Sequence, residues 1–337
     1  MSQQKKSVLI TGASGFVGSH LIEEALRRNI LPVAGVRKTS SKKYLVDPKI
    51  QFAFTDLDNR KELEQSIKAL GQRAHAPEYV IHNAGTTKAK DEQGFIKGNA
   101  ENSGFFFDLI EEYLPSTRKV LFVSTLAAKG PANFTNRPLN MEDEDRPGTP
   151  YGRSKLMGED NLKKRNAYQH IILRPTAIYG PRETKMLQLP KIMKRGLEPD
   201  FAPSGQKVSF IHVYDFCRLA FDALESKHGN KTYLVTDGHA YEMSLYRSII
   251  KEHLDIRPIR LRIPPRLLLE SVRWINRLAK TTGQVMHTTP EKIMDVTALN
   301  WTVDVQPLQA DFGFQAQYPL EKGLPHTLDW YRQKGWL

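Results

Sequence analysis

A short apolar run, Val8-Leu9-Ile10, leads into Thr11-Gly12-Ala13-Ser14-Gly15-Phe16-Val17-Gly18 and then into a helix-like stretch ending near Arg28. This succession of strand, glycine turn and helix constrains the fold more than any other feature of the chain. Such a turn aims backbone N–H groups and a helix N-terminus at a pyrophosphate. Gly12 permits the tight turn, Gly15 the close approach of phosphate, and Gly18 close packing of helix on strand. Ser14, Phe16 and Val17 complete the candidate dinucleotide contacts. Gly-rich turns are common, so the pattern gains its force from a second one downstream.

That second pattern is Tyr151-Gly-Arg-Ser-Lys155. On a helix, residues four apart share a face. An ammonium at Lys155, together with an oxidised nicotinamide, would favour phenolate at Tyr151 and lower its pKa from about 10. Tyr151 could then act as base on a hydroxyl or as acid on a ketone. Lys155 could also reach the nicotinamide ribose. Taken alone, the spacing fits a solvated helix face equally well.

Between and around these motifs, apolar segments (6–11, 31–36, 50–54, 79–82, 120–124, 171–173) alternate with helical patterns (16–28, 61–70, 94–113, 151–165). Short continuous apolar runs between helices read as strands covered on both faces. The expectation is an α/β fold, a doubly wound parallel sheet of the Rossmann kind, with ligands at the carboxyl ends of the strands. After Gly180-Pro181 the alternation degrades. Residues 1–180 are expected to form the dinucleotide-binding domain, with 206–232 returning to it. The remainder of 181–337 is expected to form a smaller, mostly helical substrate lobe.

The chain carries 49 Lys and Arg against 37 Asp and Glu, a net charge of +12. That excess suits anionic cofactors and substrates. No basic block or zinc-ligand spacing marks a nucleic-acid module or a metal site. No apolar run approaches the roughly 20 residues of a membrane span. The single cysteine, Cys217, excludes an intrachain disulfide, and the expected compartment is the cytoplasm.

The residues so far assembled resemble the extended short-chain dehydrogenase/reductase superfamily. The resemblance is to the branch of nucleotide-sugar epimerases and dehydratases and of 3β-hydroxysteroid dehydrogenase/dihydroflavonol reductase-like enzymes. It spans nearly the whole chain. Thr11–Gly18 matches TGxxGxxG, Asp56-Leu57 the pair that contacts adenine, and His82-Asn83-Ala84-Gly85 the segment after the fourth strand. Leu121–Gly130 matches the strand end that carries the active-site Ser/Thr, here Thr125. Arg174-Pro175 through Ile178-Tyr179-Gly180-Pro181, and Phe210-Ile-His-Val213 with Asp215, are also family-like.

The resemblance implies an NAD(P)-dependent oxidoreductase or epimerase. Thr125 would hold the substrate oxygen against Tyr151, unless its hydroxyl serves its own backbone. Asn99 would either hold a water in a relay to Lys155 or stabilise a helix irregularity. Asp56 would contact the cofactor or cap the following helix. A homodimer through a helical face of the large domain is the family-like expectation.

An acidic residue after the second strand would mark NAD; here that strand ends in Arg37-Lys38. A guanidinium suits a 2′-phosphate, so NADP is favoured over NAD. Thr125 is followed by Leu126-Ala127 rather than a titratable pair, which argues against dehydration. The stretch before Ile211-His212-Val213 lacks the Arg that a nucleotide diphosphate usually meets, with Lys207 as a partial substitute. Lys129, Tyr179, Arg182 and His212 are candidate walls of the substrate pocket. At about 100° per residue, Arg266, Arg273, Arg277 and Lys280 would share one helix face opposite an apolar one. Residues 265–280 therefore form either a lid helix or a peripheral membrane contact. The leading expectation is interconversion of a secondary alcohol and a ketone; the alternative is a nucleotide-sugar epimerase or reductase.

Overall fold

The computed structural model describes residues 6–132, 137–264, 267–272, 293 and 297–337. Strand β1 (Ser7–Thr11) is wholly buried and gives way at Gly12 to helix α1 (Phe16–Arg27). There follow β2 (Leu31–Val36), β3 (Gln51–Phe54), α2 (Arg60–Gly71), β4 (Tyr79–His82) and α3 (Glu92–Ile96). A π-helical turn, Lys97–Glu101, joins α3 to α4 (Asn102–Tyr113). Then come β5 (Lys119–Val123), α5 (Pro150–Lys163) and β6 (Gln169–Pro175). The sequence pattern anticipated one helix over 94–113; the π turn interrupts it at Asn99.

These strands form one seven-stranded sheet in the order β11-β6-β5-β4-β1-β2-β3, where β11 is Lys231–Val235. Every pairing in it is parallel. The alternation of strand side chains explains why both faces are covered. Val8 and Ile10 enter the core layer shared with α1, while Leu9 enters the layer shared with α4. The order reverses direction at β1 and β4, so a crevice opens beside Gly12 at the carboxyl ends.

Beyond β6 the chain adds β7 (Ala177–Tyr179), α6 (Gln188–Lys194), β8 (Leu197–Asp200), β9 (Lys207–Val208) and β10 (Phe210–His212). Helix α7 (Val213–Glu225) packs on α1 with its side chains in the same core layer. After β11 come β12 (Tyr241–Glu242), α8 (Met243–Leu254), β13 (Ile259–Arg262) and β14 (Asn300–Trp301), then helices Gln306–Phe312 and Leu320–Gln333. Within 206–232, β9 pairs with β12 and β14 rather than with the large sheet, and β10 pairs with β7. Only α7 and β11 rejoin the large layer. A separate apolar core built on Tyr179, Leu187, Phe210, Tyr246, Leu324 and Tyr331 holds the later elements together.

Among the described residues no helix is long and apolar enough to cross a membrane, and no group of His, Cys, Asp or Glu is arranged to hold a metal ion. Cys217 is buried on α7. Of the 265–280 segment, Pro265, Arg266 and residues 273–280, with Arg273, Arg277 and Lys280, lie outside the described residues.

Candidate active site

Two hollows meet the carboxyl ends of the strands. The first is a groove of about 330 Å³ lined by Gly12, Ser14, Gly15, Arg37, Asp56, Leu57 and Asn83–Gly85. Gly12 has a left-handed φ of 65°, and a methyl on it would meet Ala84 backbone at 3.1 Å. A methyl on Gly18 would lie 2.1 Å from the Gly12 carbonyl oxygen. Both glycines are therefore required by close backbone approach. The Thr11 hydroxyl accepts from the backbone N–H of Asn83 (3.1 Å) and Ala84 (3.0 Å), which locks the end of β4 beside the glycine turn. His82 sits behind it, bonded to Thr11 (2.9 Å) and Ser103 (3.0 Å); burial, and next the Lys155 charge, push its pKa down to about 3.

At the far end of the groove, Arg37 follows β2 and Ser40 accepts from its backbone N–H at 3.2 Å. Lys38 instead pairs with Glu62 at 2.6 Å. The Thr55 hydroxyl lines the groove and is buried with no hydrogen-bond partner among the described residues. An unsatisfied buried hydroxyl, bare backbone and a basic end fit a dinucleotide bearing phosphates. Gly35, Ser40, Thr55, Thr86, Gly98 and Asn102 line the groove too, and none was singled out from sequence. Gly35 and Thr55 stand at or just past the ends of β2 and β3, the only signal that could have found them. Asp56 does not cap α2: Asn59 does, accepting from Glu62 at 3.3 Å, while Asp56 accepts from Asp58 N at 3.2 Å. Phe16, Val17 and Ile178 are partly buried against the core rather than in the groove lining.

The second hollow, about 430 Å³, opens beside Thr125. Leu126, Ala127, Pro175, Ala177, Leu189, Phe201, Phe210, Met243 and Trp301 make it predominantly apolar. Thr176 lines it with a buried hydroxyl that has no partner among the described residues. Arg247 is the one charged lining residue among the described residues and is paired with Glu198 (3.0 Å) and Asp200 (3.1 Å).

Between the hollows stands α5, capped by Thr149, whose hydroxyl accepts from Gly152 N at 3.1 Å, with Pro150 in its first turn. It presents Tyr151 and Lys155. Burial pushes the Tyr151 phenol up to about 12, and contact with the Thr125 side chain opposes this. Burial pushes Lys155 down to about 7, with Glu159 opposing. The sequence expectation of a lowered phenol, which included an oxidised nicotinamide, is reversed in the protein alone, because desolvation outweighs the hydrogen bond to Thr125. Lys155 donates to the Val123 carbonyl at 2.7 Å and lies over the Phe122 ring at 3.9 Å.

Thr125 accepts from Ala127 N at 3.2 Å as well as facing Tyr151, so its hydroxyl serves backbone and site together. Asn99 is spent on the Thr86 backbone (2.8 and 2.9 Å) and on Ser154 Oγ (3.0 Å), across the π turn. Its carboxamide oxygen and the Lys155 ammonium both face Gly85, at 3.0 and 3.8 Å from where a methyl would stand.

Four expected pocket walls lie elsewhere. Lys129 is sealed, ion-paired to Asp145 at 3.0 Å and bonded to the carbonyls of Met141 and Asp143. A buried ammonium needs such partners, and the 139–146 loop supplies them. Tyr179 is 1% exposed in the lobe core. His212 is buried against Tyr214 and Tyr318. Arg182 stacks on Tyr44 at 4.2 Å and bonds Ser19 (2.9 Å) and Glu23 on α1.

A family model described as the NAD dependent epimerase/dehydratase family matches residues 8–236. The chain belongs to that family. It is an NAD(P)-dependent enzyme of the extended short-chain dehydrogenase/reductase type. It is 26% identical to a ceramide reductase of Caulobacter vibrioides, over 98% of this chain and 96% of that protein. It is 25% identical to a sterol-4-alpha-carboxylate 3-dehydrogenase (decarboxylating) of Candida albicans, over 99% of each. It is likewise 25% identical to a UDP-glucose 4-epimerase of Vibrio cholerae, over 69% of this chain and 71% of that one. The fold matches that of the Thermotoga maritima UDP-glucose 4-epimerase with UDP-glucose, at a TM-score of 0.78 and 20% identity, covering 97% and 99% of the two chains.

Proposed function

We propose that this family member is an NADP-dependent oxidoreductase that interconverts a ketone and a secondary alcohol on a largely apolar substrate. The apolar cavity beside Thr125 carries the reading. A sugar diphosphate would need charged or hydrogen-bonding groups there, since burying unpaired polar groups costs several kcal/mol, roughly 2–7 on transfer scales. Among the described lining residues the one charged group, Arg247, is already paired with Glu198 and Asp200. Two full-length relatives are named for lipid-like substrates, a ceramide and a sterol carboxylate.

Bound in the groove, the dinucleotide supplies hydride exchange. Gly12, Ser14 and Gly15 would hold its phosphates, Asp56-Leu57 and Asn83–Gly85 would border it, and Arg37 would meet a 2′-phosphate. Pro175, at the end of β6 and in the lining of the second hollow, would flank the nicotinamide. Thr125 and Tyr151 hold the substrate oxygen. A phenol raised to about 12 keeps its proton at neutral pH, so Tyr151 is poised to donate to a ketone oxygen. Lys155 holds the ribose beside it, and Asn99 positions α3 and α5 around Gly85. The hydroxyl of Thr176 awaits a polar group near the ketone. Leu126-Ala127 offers no base for dehydration.

The domain division at 180, a cytoplasmic location, and a homodimer through a helical face belong to the same proposal. Epimerisation is the second reading, favoured by the Vibrio relative. Stoichiometric loss of NADPH absorbance with a hydrophobic ketone supports the first; isomerisation of a UDP-sugar without net NADPH consumption would replace it with the second.

A further inference from the structure

Among the described residues, nine large apolar side chains stand exposed; three of them, Leu197, Ile259 and Leu261, lie on one two-stranded ribbon, and Ile192 stands on α6, which leads into it. Strands β8 and β13 form a two-stranded parallel ribbon in the register Ile259 to Leu197 and Leu261 to Pro199. Partners in register point to one side. Leu197 is 50% exposed, Ile259 75% and Leu261 53%. The alternate positions, Glu198 and Asp200, turn inward to Arg247. A soluble monomer rarely gathers apolar side chains into one exposed patch without a partner.

The rim is basic. Lys191, Lys194 and Arg195 end α6, which leads into β8, and Arg257 precedes β13. The stretch from the end of α8 into β13 also carries the exposed carboxylates Glu252 and Asp255. The same elements reach the cavity beside Thr125, whose lining includes Leu189 of α6 and Pro199 of β8. The patch is therefore continuous with the wall of the apolar hollow.

We propose that the β8–β13 ribbon, with Ile192 and the basic end of α6, is a docking face for an anionic lipid bilayer, through which an apolar substrate reaches the cavity. Stable peripheral attachment takes two signals, inserted apolar side chains and basic groups facing anionic headgroups, and this face has both. A second copy of the chain fits less well. A two-fold contact would set the same basic rim against itself, on a chain already at +12. The substrate-delivery clause rests on the cavity holding the substrate; the docking clause does not.

The test is co-sedimentation of the full-length chain with phosphatidylcholine vesicles, with and without phosphatidylglycerol. Binding should require the anionic lipid, fall as salt rises, and weaken about tenfold in Ile259→Gln/Leu261→Gln. NADPH turnover on a water-soluble ketone should not change in that variant, since neither residue is in the lining of the groove or of the hollow beside Thr125. Absence of binding, equal binding to neutral vesicles, or wild-type binding by the variant would overturn the proposal. So would a concentration-dependent dimer that the same two substitutions dissolve, since it would give the face to self-association. Loss of ketone turnover with vesicle binding intact would count against the proposed reaction and leave the docking face standing.

Discussion

Lys155 places its ammonium 2.7 Å from the backbone carbonyl of Val123, two residues before Thr125. This hydrogen bond ties α5 to the end of β5, and with it the helix bearing Tyr151 to the strand that leads into Thr125. The ammonium is held in a buried spot over Phe122, where the charged form is disfavoured.

That burial predicts a pH dependence of stability. Lys155 has a pKa of about 7 in the fold against an ordinary 10.5. Between those values the unfolded chain binds more protons than the folded one, so stability rises with pH across that window. Relative to wild type, Lys155→Met should remove the rise while leaving the two curves parallel below pH 7. Urea unfolding of the cofactor-free protein at several pH values checks this; a wild-type curve that falls between pH 7 and 10 relative to the variant would contradict it.

Tyr151→Phe should lower kcat for ketone reduction by about 10²–10⁴, the usual share of general acid catalysis. The phenol contributes nothing to the groove lining, so NADPH affinity should stay within about twofold. Turnover measured beside fluorescence titration of NADPH separates the two. An unchanged kcat would remove Tyr151 from the reaction.

How much of this was legible differs by residue. Val8 to Ile10 and Gly12, Gly15 and Gly18 were readable because local sequence alone dictates a buried strand and a bare turn. The parallel order followed from the alternation of strands and helices. Lys129 was not readable, because its partner Asp145 arrives from a loop sixteen residues on, and only the fold sets them 3.0 Å apart. The apolar cavity was equally hidden: Thr125, Leu189, Phe210, Met243 and Trp301 come from five separated segments. The reversed phenol pKa reflects desolvation, which no spacing rule reports. The π turn at Asn99 was half legible: the helical periodicity over 94–113 looked continuous, while the family resemblance already offered Asn99 as the stabiliser of a helix irregularity.

Arg37 should decide the cofactor. Lys38, its neighbour, is engaged by Glu62, leaving the Arg37 guanidinium to meet a 2′-phosphate at the groove end. A charge-assisted hydrogen bond contributes about 1.5–3 kcal/mol, so Arg37→Ala should weaken NADPH about 10- to 100-fold and NADH little. Paired titrations of both cofactors give the ratio. Equal loss for the two would mean that Arg37 has no part in the choice.

Gly18→Ala tests the glycine turn by sterics. The added methyl would meet the Gly12 carbonyl oxygen at 2.1 Å and Ala13 Cα at 2.8 Å. Both are backbone, so α1 must move away from β1. Overpacking of this kind costs about 1–3 kcal/mol, and the shifted helix end should also weaken NADPH binding. Gly196→Ala is a control for the clash alone: it has a left-handed φ of 93° but nothing within 4 Å of the added methyl. Its cost should be stability without cofactor affinity.

Beneath Thr125 lies a largely buried charge cluster whose removal makes the largest prediction. Arg174, 1% exposed, bonds Glu159 at 2.7–3.1 Å and both oxygens of Asp145 at 2.7 Å. Ser124 donates to Glu159 at 2.5 Å, and Lys129 pairs with Asp145. Arg174→Met leaves Asp145 with Lys129 but leaves the fully buried Glu159 only the distant, exposed Lys163 at 3.8 Å, a loss of about 3–5 kcal/mol for a buried charge without its close partner. Adding Glu159→Gln should restore part of it, because the stranded charge is gone. Burial raises the Asp145 carboxyl, but Arg174 and then Lys129 lower it further, leaving it below its ordinary 3.8. A lowered carboxyl adds stability above that ordinary value and loses it as pH falls through the folded one. The gap between wild type and Arg174→Met should therefore narrow under acid. Chemical denaturation of the single and double variants at neutral pH and near pH 3 reads both effects, and a single variant as stable as wild type at neutral pH would show that the cluster does not hold β5 and β6 in place.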